Sequence, residues 1–464
     1  MERPARTQGG VVMGFLIHSG TLVCMDQAGT VARGDLLVRD GKIAALGPAV
    51  GDALAALPPA ERPDSFDATG ALVVPGLIQG HLHLCQTLFR GMAEQPNLLR
   101  WLTERIWPLE AAHTEASLAA SARLGLLELV ASGVSCVHDM GTVRHTETIG
   151  VVLEQTGVRA IFGKALMDQG VGVPAALIET PAACLAEARA LARRFQGAAG
   201  GRLAVSLAPR FVLAASTRLW EAVAAESQAS SLLVHTHLAE SMSETRAVAS
   251  AVSTTAARYL AQRGLMTERL VAAHGVWLDL EELMLVEGAR ASLVHCPGSN
   301  LKLGSGIAAL GDWLRLDLKR GLGSDGAACN NRLDLFHEMG LAAGLARVRH
   351  PERPPTARAI LALATSEGAR ALGLDQVGSL EVGKQADVAV VDVRGPHHGP
   401  AAEADPYTAL VHAARASDVR LTLVAGRVLY RDGSWTTLDP DTVRAEARAE
   451  ARGLARRAEL SAAA

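Results

Sequence analysis

The sequence has no apolar run of the roughly 18 residues that a membrane-spanning helix needs. Its start also lacks the long apolar stretch of a signal peptide, so we expect a cytoplasmic protein without a membrane anchor. The six cysteines are scattered without a CxxC pair, which excludes a disulfide scaffold and predicts reduced thiols. Aromatic residues make up only 3% and the formal net charge is -3, so neither a stacking surface nor a basic surface for nucleic acid is predicted.

What the sequence does have is length and apolar content: 464 residues, of which 49% are hydrophobic and 20% charged. This composition is typical of an enzyme, and the length allows one large domain plus a smaller one. Short β-like runs separated by turns fill 16–75, with Asp40-Gly41 as a strong hairpin signal, and the same texture returns after residue 375. We therefore expect a small β-sandwich-like domain formed by 1–75 and 376–464, with a helix in its Ala/Arg/Glu-rich tail.

The central part of the chain, 76–375, alternates strand-like apolar runs with amphipathic stretches of helical length. Eight strand-to-helix steps favour an α/β fold of the (β/α)8 TIM-barrel type over an open sheet. Polar residues fall at the carboxyl ends of several of these runs. They are His81, His83, His237, His274 and Asp325. In a β/α barrel those strand ends share one face, where active sites are built.

Two histidines one residue apart, His81 and His83, point the same way on an extended chain. With His237 and Asp325 they supply the nitrogen and oxygen ligands that one catalytic divalent ion takes, and zinc or ferrous iron fits such ligands. A bound ion of this kind lowers the pKa of its water toward neutrality and so generates hydroxide. Each residue alone also has a plain structural explanation, as a packed histidine or as the Asp of an Asp-Gly turn. The joint pattern favours the metal site.

Glu240 lies three residues past His237 and could carry a proton between that water and a substrate ring nitrogen. His274 could hold the water or polarise the substrate without binding metal, or it could be a buried histidine with its hydrogen bonds satisfied. Five further histidines are expected to be structural or to support the site from behind: His113, His138, His145, His295 and His337. Among them His295 is expected to lie nearest to the site.

Five segments together resemble a known family: PGLIQGHLH, HTHLAE, AHGVWL, HCPGSNLKLGSGI and GLGSDGAACNNRLDLFHEM. They resemble the amidohydrolase superfamily, in its atrazine/triazine hydrolase and aminohydrolase branch. GSLEVGKQADVAVVD resembles the segment with which such proteins re-enter their small β domain, so the similarity runs from about residue 16 to 430. The resemblance implies a barrel with one divalent metal that displaces ammonia, or sometimes halide or amine, from an aromatic N-heterocycle.

By this resemblance the His/His/His/Asp set holds the metal, Glu240 passes a proton to the ring nitrogen and His274 orients the water. Asp325 would also pass a proton to the leaving amine. Relatives with two metals bridge them with a carboxylated lysine near the fourth strand, and Lys164 is the only obvious candidate for it. Because Lys164 ends the third predicted strand and HLAE resembles the mononuclear type, we expect one metal.

The segments LFRGMAEQPNLLRWLTERIWPLEAAHT and GKALMDQGVGVP resemble deaminases that act on 5'-deoxyadenosine, methylthioadenosine and S-adenosylhomocysteine. Glu94 falls where such enzymes place an acid on the ribose hydroxyls, and it could equally be a solvated acid at the start of a helix. Gln86 and Arg210 resemble instead the amide and guanidinium with which guanine deaminases hold their base, and adenosine-type relatives often carry a histidine where Arg210 stands. Arginine has only donors, so it suits an acceptor such as a purine N3 or a carbonyl oxygen.

We therefore expect a metal-dependent hydrolytic deaminase of an aromatic N-heterocycle, with the adenine ring of a 5'-modified adenosine as the first candidate. A guanine- or pterin-type deaminase and a triazine-like chloro or amino hydrolase are the alternatives. A two-metal hydrolase of cyclic amides and a non-catalytic barrel protein come after them. The expected partner is a small molecule rather than nucleic acid or membrane, and by resemblance the enzyme is expected to be a homo-oligomer.

Overall fold

The computed structural model describes residues 14–58, 61–94 and 97–459. The predicted small domain begins with residues 1–13, which lie outside the described residues, as do 460–464. Described strands from both ends of the chain form one nine-stranded mixed sheet in the order β17-β16-β15-β14-β5-β1-β2-β3, with β4 paired to β1. Its strands are β1 (Phe15–Val23), β2 (Val31–Arg39), β3 (Lys42–Leu46), β4 (Asp64–Asp67), β5 (Ala71–Pro75), β14 (Val388–Asp392), β15 (Val419–Val424), β16 (Arg427–Arg431) and β17 (Ser434–Trp435).

The predicted hairpin at Asp40-Gly41 is present between β2 and β3, which run antiparallel with Arg39 opposite Lys42. Asp40 and Gly41 both have positive φ angles, 50° and 75°. Positive φ at both central positions is the conformation of the two-residue turn that matches the twist of a hairpin, and Gly adopts it without steric cost. Both ends of the chain thus contribute to one sheet, as the sequence predicts.

Eight parallel strands form the second sheet, in the order β13-β12-β11-β10-β9-β8-β7-β6. They are β6 (Leu77–Leu82), β7 (Val134–Asp139), β8 (Arg159–Leu166), β9 (Leu203–Pro209), β10 (Leu233–Leu238), β11 (Leu270–His274), β12 (Ser292–His295) and β13 (Lys319–Leu322). Beyond the end of β13, the amide of Asp325 donates to the carbonyl oxygen of His81 on β6 at 3.1 Å, which brings the last strand beside the first. The predicted barrel is therefore confirmed.

Helices connect the barrel strands and also occur within and after the segments of the nine-stranded sheet, where α1 packs on β2 and β3. They are α1 (Ala49–Ala55), α2 (Leu98–Trp101), α3 (Trp107–Ala111), α4 (Glu115–Ala131), α5 (Thr146–Thr156), α6 (Pro181–Phe195), α7 (Ala198–Gly201), α8 (Thr217–Ser230), α9 (Met242–Val252), α10 (Ala256–Gln262), α11 (Leu280–Gly288), α12 (Pro297–Lys302), α13 (Leu310–Arg315), α14 (Leu335–Arg349), α15 (Ala357–Leu363), α16 (Ser366–Ala371), α17 (Ala401–Ala404), α18 (Pro406–Thr408) and α19 (Pro440–Arg457). A π-helical turn, Leu102–Ile106, joins α2 to α3. None of the helices in the described part of the chain is both long and apolar enough to cross a bilayer.

The predicted C-terminal helix, α19, lies against the barrel helix α4. Its apolar residues Ala447 and Leu454 are buried in the same cluster as Phe89 and Leu109, and Arg123 of α4 pairs with Glu446 at 3.3 Å. The helix follows from its alanine-rich, capped sequence, in which Asp439 accepts hydrogen bonds from the amides that begin the helix.

The chain passes from the nine-stranded sheet into the barrel at a single residue, Gly76, between β5 and β6. Next to this junction the guanidinium of Arg159, at the start of β8, makes two contacts of 2.8 and 3.0 Å with Asp387, which precedes β14. Both side chains are buried, so the pair links the barrel to the nine-stranded sheet through an ion pair shielded from water. The domain boundaries after residues 75 and 375 stay predictions.

Candidate metal centre and substrate cavity

The polar residues predicted at strand ends do lie together at the carboxyl end of the barrel. His81 is on β6, His237 on β10 and His274 ends β11, while His83 and Asp325 follow the ends of β6 and β13. His274 and Asp325 have φ angles of 77° and 60°. Non-glycine residues in this left-handed region are uncommon and are concentrated at functional sites. The backbone thus turns at two strand ends to aim these side chains at the barrel axis.

Four of these side chains form a compact group of potential metal ligands, which we call the metal group. One ligand atom from each of His81, His83, His237 and Asp325 lies within 4.8 Å of the others. Asp325 Oδ1 is 3.3 Å from His81 Nε2 and 3.4 Å from His83 Nε2. The Nε2 atoms of His83 and His237 are 3.2 Å apart. The structure therefore brings together all four residues that the sequence predicts as ligands.

Hydrogen bonds behind the group fix which atoms face its centre. His237 Nδ1 donates to the backbone oxygen of Arg210 at 2.7 Å, so a neutral His237 keeps a lone pair on Nε2. His81 Nδ1 lies 2.9 Å from His235 Nε2, while His81 Nε2 is buried without a hydrogen-bond partner. Metal-binding histidines are usually held in this way through the other ring nitrogen. These residues fit a single divalent ion.

The protonation states of the imidazoles suit the same conclusion. Burial lowers the pKa of His81 and lowers the pKa values of His83 and His237 well below the usual range, because a charged imidazolium is disfavoured away from water. Neutral imidazole is the form that binds metal. Asp325 supplies the carboxylate, and its two oxygens also accept hydrogen bonds from Ser299 Oγ at 2.7 Å and the amide of Gly326 at 2.8 Å.

Glu240 and His274, predicted as proton-transfer and water-orienting residues, lie next to this group. His274 Nε2 is 3.6 Å from Glu240 Oε2 and 3.8 Å from Asp325 Oδ2. On the other side of the ring, His274 Nδ1 is 2.9 Å from Asn300 Oδ1, and Nε2 is buried without a hydrogen-bond partner. Burial, together with the charge of Asp325, holds the pKa of Glu240 well above its usual range. Burial thus favours the protonated form of this carboxyl and the neutral form of the neighbouring imidazole.

A cavity opens beside the group. Its lining consists of His83, Gln86, Leu98, Trp101, Leu102, Arg210, Phe211, His237, Glu240, Glu244 and Asp325. Most polar lining residues lie on or just after the ends of barrel strands, while Gln86 is on a 3-10 turn after β6 and Glu244 is on α9. The apolar ones come chiefly from α2 and the π-helical turn that follows it. An apolar wall with a few convergent polar groups is typical of a small-molecule site.

Two of the three residues predicted to bind substrate line the cavity, and one does not. Gln86 and Arg210 are both at the cavity and buried. Glu94 is exposed and forms an ion pair of 2.8 Å with Lys302, whose ammonium group also donates to Asn331. His295, the other histidine expected near the site, is buried against Trp313 and is not among the lining residues.

Lys164, the candidate for a metal-bridging lysine, lies on the third barrel strand and is fully buried. Its ammonium group pairs with Glu179 at 2.9 Å and Glu187 at 2.8 Å, and donates to the carbonyl oxygen of Val143. In the described part of the chain, Lys164 belongs neither to the group of potential metal ligands nor to the cavity lining. The structure thus gives Lys164 an ion-pairing environment away from the metal group.

Several residues of this region are not evident from sequence reasoning. Glu110 pairs with Arg210 behind the cavity wall, and burial together with the charge of Glu240 raises the pKa of Glu244 in the lining to about 8. His138, expected to be structural or to support the site, stacks on His235 with ring centroids 3.7 Å apart, and Nε2 of His235 lies 2.9 Å from Nδ1 of His81. The only local signal for Glu110 is an acid within the apolar stretch IWPLEA, which identifies a buried charge but not its partner.

A second group of potential ligand atoms lies elsewhere, formed by His397, His398 and Asp418. The two Nε2 atoms are 3.0 and 3.1 Å from the same oxygen of Asp418, which also accepts the amide of Arg415 at 2.9 Å. Hydrogen bonds account for these distances without an ion. The group is relevant to any measurement of metal content, because it is where a second ion would have its ligands.

The parallel barrel, with three histidines and an aspartate at the carboxyl ends of its strands, defines a class of β/α-barrel hydrolases with a place for one metal ion. The sequence profile of the Amidohydrolase family matches residues 72–429, well over half of the chain. The chain belongs to the amidohydrolase family.

Individual relatives are similar over nearly the whole length. A 5'-deoxyadenosine deaminase of Methanothermobacter thermautotrophicus is 34% identical over 415 residues, covering 89% of this chain and 92% of the relative. A 5-methylthioadenosine/S-adenosylhomocysteine deaminase of Halobacterium salinarum is 36% identical over 433 residues, covering 92% and 96%. Among solved structures, an adenosine deaminase from Xanthomonas campestris with bound zinc superposes with a TM-score of 0.88 at 29% identity, covering 95% and 98% of the two chains.

Proposed function

We propose that this protein is a metal-dependent hydrolytic deaminase that acts on the adenine ring of a 5'-modified adenosine. The observation that carries the proposal is one cavity that is lined by three members of the His/His/His/Asp group and by the buried carboxyl of Glu240, and that lies beside the buried imidazole of His274. The relatives named as 5'-deoxyadenosine and 5-methylthioadenosine/S-adenosylhomocysteine deaminases support the choice of substrate. In the reaction, water adds to the ring carbon that bears the amino group, and that carbon then releases ammonia and becomes a carbonyl.

One divalent ion would be held by His81, His83, His237 and Asp325, with zinc as the first choice. The zinc in the similar structure from Xanthomonas campestris supports that choice, and imidazole and carboxylate ligands would also accept ferrous iron. When bound, such an ion lowers the pKa of a water molecule toward neutrality, which makes a nucleophile available at neutral pH.

The chain's own residues would move the protons. Glu240, whose protonated form is favoured by burial, would donate a proton to a ring nitrogen and so activate the neighbouring carbon. His274 would accept a hydrogen bond from the attacking water through Nε2, because its Nδ1 donates to Asn300. Asp325 would take up the proton that the attacking water loses and pass it to the leaving amino group, which departs as ammonia. The proton lost when the carbonyl forms would return to Glu240.

Recognition of the ring falls to Arg210 and Gln86, which line the cavity. The guanidinium offers donors to a ring acceptor such as N3. Glu94 is proposed to accept hydrogen bonds from the ribose hydroxyls, which requires its carboxylate to leave Lys302 or to share it with the sugar.

A second candidate function is deamination of a guanine- or pterin-like ring. The observation that favours it is the presence of Arg210 and Gln86 at the cavity while Glu94 lies outside the lining. A carbonyl oxygen on such a ring would accept from Arg210 as well as a ring nitrogen does. This candidate keeps the metal group and the proton-transfer residues and changes only the ring that is recognised.

Ammonia release by the zinc-supplemented protein tests both candidates, with 5'-deoxyadenosine, methylthioadenosine, S-adenosylhomocysteine, guanine and a pterin as substrates. Turnover confined to the adenosines supports the proposal, and turnover confined to guanine or the pterin replaces it with the second candidate. Release from none of them, with metal bound, refutes deamination of these rings.

Variants separate metal binding from chemistry in the same assay. His81→Ala and Asp325→Asn are expected to lower both the metal content and turnover, whereas Glu240→Gln is expected to keep the metal and lose turnover. Glu268→Gln, an exposed acid just before β11 at the opposite end of the barrel, is the matched control and should behave as wild type. Metal retained by Asp325→Asn at the wild-type level would contradict the ligand assignment, once binding at His397 and His398 has been removed by substitution.

A further inference from the structure

A buried carboxylate, Glu110, lies behind the cavity wall and contacts two of the side chains that line it. Glu110 is on α3, and its side chain is only 2% exposed. Its two oxygens receive the Nη1 and Nη2 groups of Arg210 at 2.5 and 3.0 Å. Oε1 also accepts a hydrogen bond from Nε2 of Gln86 at 3.1 Å. One acid therefore anchors both polar side chains on this side of the cavity.

The hydrogen bonds to Glu110 determine which groups stay available to a ligand. Arginine has five N–H donors and no acceptor, and Glu110 engages both terminal nitrogens of Arg210 from one side. The amide nitrogen of Gln86 is also used by Glu110, so its Oε1 faces away, buried and without a partner. A Cβ atom at Gly326 would lie 2.2 Å from that oxygen, so the glycine beside Asp325 makes room for the amide.

The Arg210 side chain depends on Glu110 in a way that its backbone does not. The carbonyl oxygen of Arg210 accepts both the amide and Nδ1 of His237, at 3.0 and 2.7 Å, which fixes the main chain beside the metal group. The guanidinium, in contrast, sits at the end of a flexible stem, and a bidentate carboxylate fixes its plane. Removal of the Glu110 charge would also leave a buried cation without compensation, which favours movement of the guanidinium toward water.

We propose that Glu110 is a positioning residue for ring recognition, which orients Arg210 to donate to an acceptor atom of the substrate heterocycle and holds Gln86 beside it with its amide oxygen free. The inference rests on the proposed function for the nature of that ring. The acceptor is a ring nitrogen in an adenosine, and a ring nitrogen or carbonyl oxygen in a guanine- or pterin-like ring. Glu110 takes part in no proton transfer and acts only through the two side chains that it holds.

The test is a cycle that combines a protein variant with a substrate variant. Wild type and Glu110→Gln are assayed with a 5'-modified adenosine and with its 3-deaza and 7-deaza analogues, each of which lacks one ring acceptor. In wild type, the analogue that lacks the recognised nitrogen should lose about tenfold or more in kcat/KM. Glu110→Gln should lower kcat/KM for the parent substrate by about 100-fold, as a displaced binding group does. The same analogue should then lose less than about twofold relative to the parent.

Asp387→Asn is the matched control, because it breaks an equally buried bidentate pair with Arg159 far from the cavity. It should lower the melting temperature and leave both kcat/KM and the deaza penalties as in wild type. Arg210→Gln should resemble Glu110→Gln, and the double variant should be no worse than Arg210→Gln. The proposal would be overturned if the losses of kcat/KM in the two single variants added up in the double variant. It would also be overturned if Glu110→Gln left the loss of kcat/KM with the deaza analogue as large as in wild type.

Failure of the proposed function is recognised separately, because wild type itself would then release no ammonia from the adenosines. The cycle would in that case use the ring that is turned over and an analogue without its acceptor. A crystal structure of Glu110→Gln gives a readout that needs no substrate. The Arg210 guanidinium is expected to leave the cavity wall, and a guanidinium that stays in place would overturn the proposal.

Discussion

Asn300 contacts His274 in a way that selects which ring nitrogen carries the proton. Substituting Asn300 therefore gives a direct test of the proposed chemistry. The side-chain oxygen of Asn300 lies 2.9 Å from His274 Nδ1, and Nε2 of the same ring is buried beside Glu240 and Asp325 without a hydrogen-bond partner. A neutral imidazole carries one proton, so a proton on Nδ1 leaves Nε2 as an acceptor for water. Asn300→Ala removes the group that selects this tautomer.

The size of the effect follows from the hydrogen bond that is lost. Leaving a buried N–H without its acceptor costs about 1–3 kcal/mol, and that penalty falls on the active tautomer alone. Since each ~1.4 kcal/mol corresponds to a factor of ten, the ratio of the His274 tautomer with a free Nε2 to the other tautomer should fall about 5- to 150-fold. The kcat for ammonia release should fall by more than about twofold and by up to this factor, while KM and metal content change little.

The assay is ammonia release at saturating substrate, with metal content measured on the same samples. Asn300→Asp keeps an oxygen for Nδ1 to donate to, so it should retain more activity than Asn300→Ala. Gln196→Ala is the control, because it removes an amide oxygen that accepts from Val205 at the opposite end of the barrel and should leave kcat unchanged. A kcat for Asn300→Ala within twofold of wild type would refute the tautomer argument, as would equal losses for the Ala and Asp variants.

Two further predictions concern stability. Asp387→Asn leaves the buried Arg159 unpaired and should lower the free energy of unfolding by about 3 kcal/mol. Asp432→Asn, in the exposed pair with Arg420, should lower it by less than about 1 kcal/mol. Similar losses for the two variants in a denaturant titration would contradict this prediction. Burial, then the charge of Glu240, raises the pKa of Glu244 from 4.5 to about 8, so its protonated form favours folding below pH ~5 and that contribution is lost as pH rises through ~8. Glu244→Gln should therefore gain melting temperature relative to wild type between pH 5 and pH 9, and a pH-independent difference would exclude this.

The metal group could be predicted from sequence because each of its members marks the end of an apolar run. A barrel with eight parallel strands brings those ends to one face, so His81 and Asp325 meet although 244 positions separate them. Spacing adds the rest: His81 and His83 are i and i+2 on an extended segment, and Glu240 follows His237 by one short turn. The local sequence pattern and the fold class together were sufficient to predict which side chains meet at this end of the barrel.

Pairs between helices and loops could not be predicted in this way. Glu110 meets Arg210 from a helix 100 positions earlier in the chain, and no periodicity connects an acid on α3 with the end of β9. Glu94 lies on a loop, where position along the chain says little about direction, and its carboxylate is paired with Lys302 outside the cavity. The alanine-rich tail is evidently a helix from its composition, yet its packing on α4 depends on which barrel helix leaves an apolar stripe uncovered.

The proposed role of Arg210 would let ring recognition change within this fold without disturbing the metal group. The backbone oxygen of Arg210 holds His237 Nδ1, and any residue at this position offers the same carbonyl. Its side chain, together with Glu110, determines which donors face the cavity. The two tasks fall on different atoms of one residue, so a histidine here could still orient His237 while presenting another hydrogen-bonding pattern to the ring. A carboxylate at position 110 would then lose its partner, and Arg210 and Glu110 are therefore expected to change together.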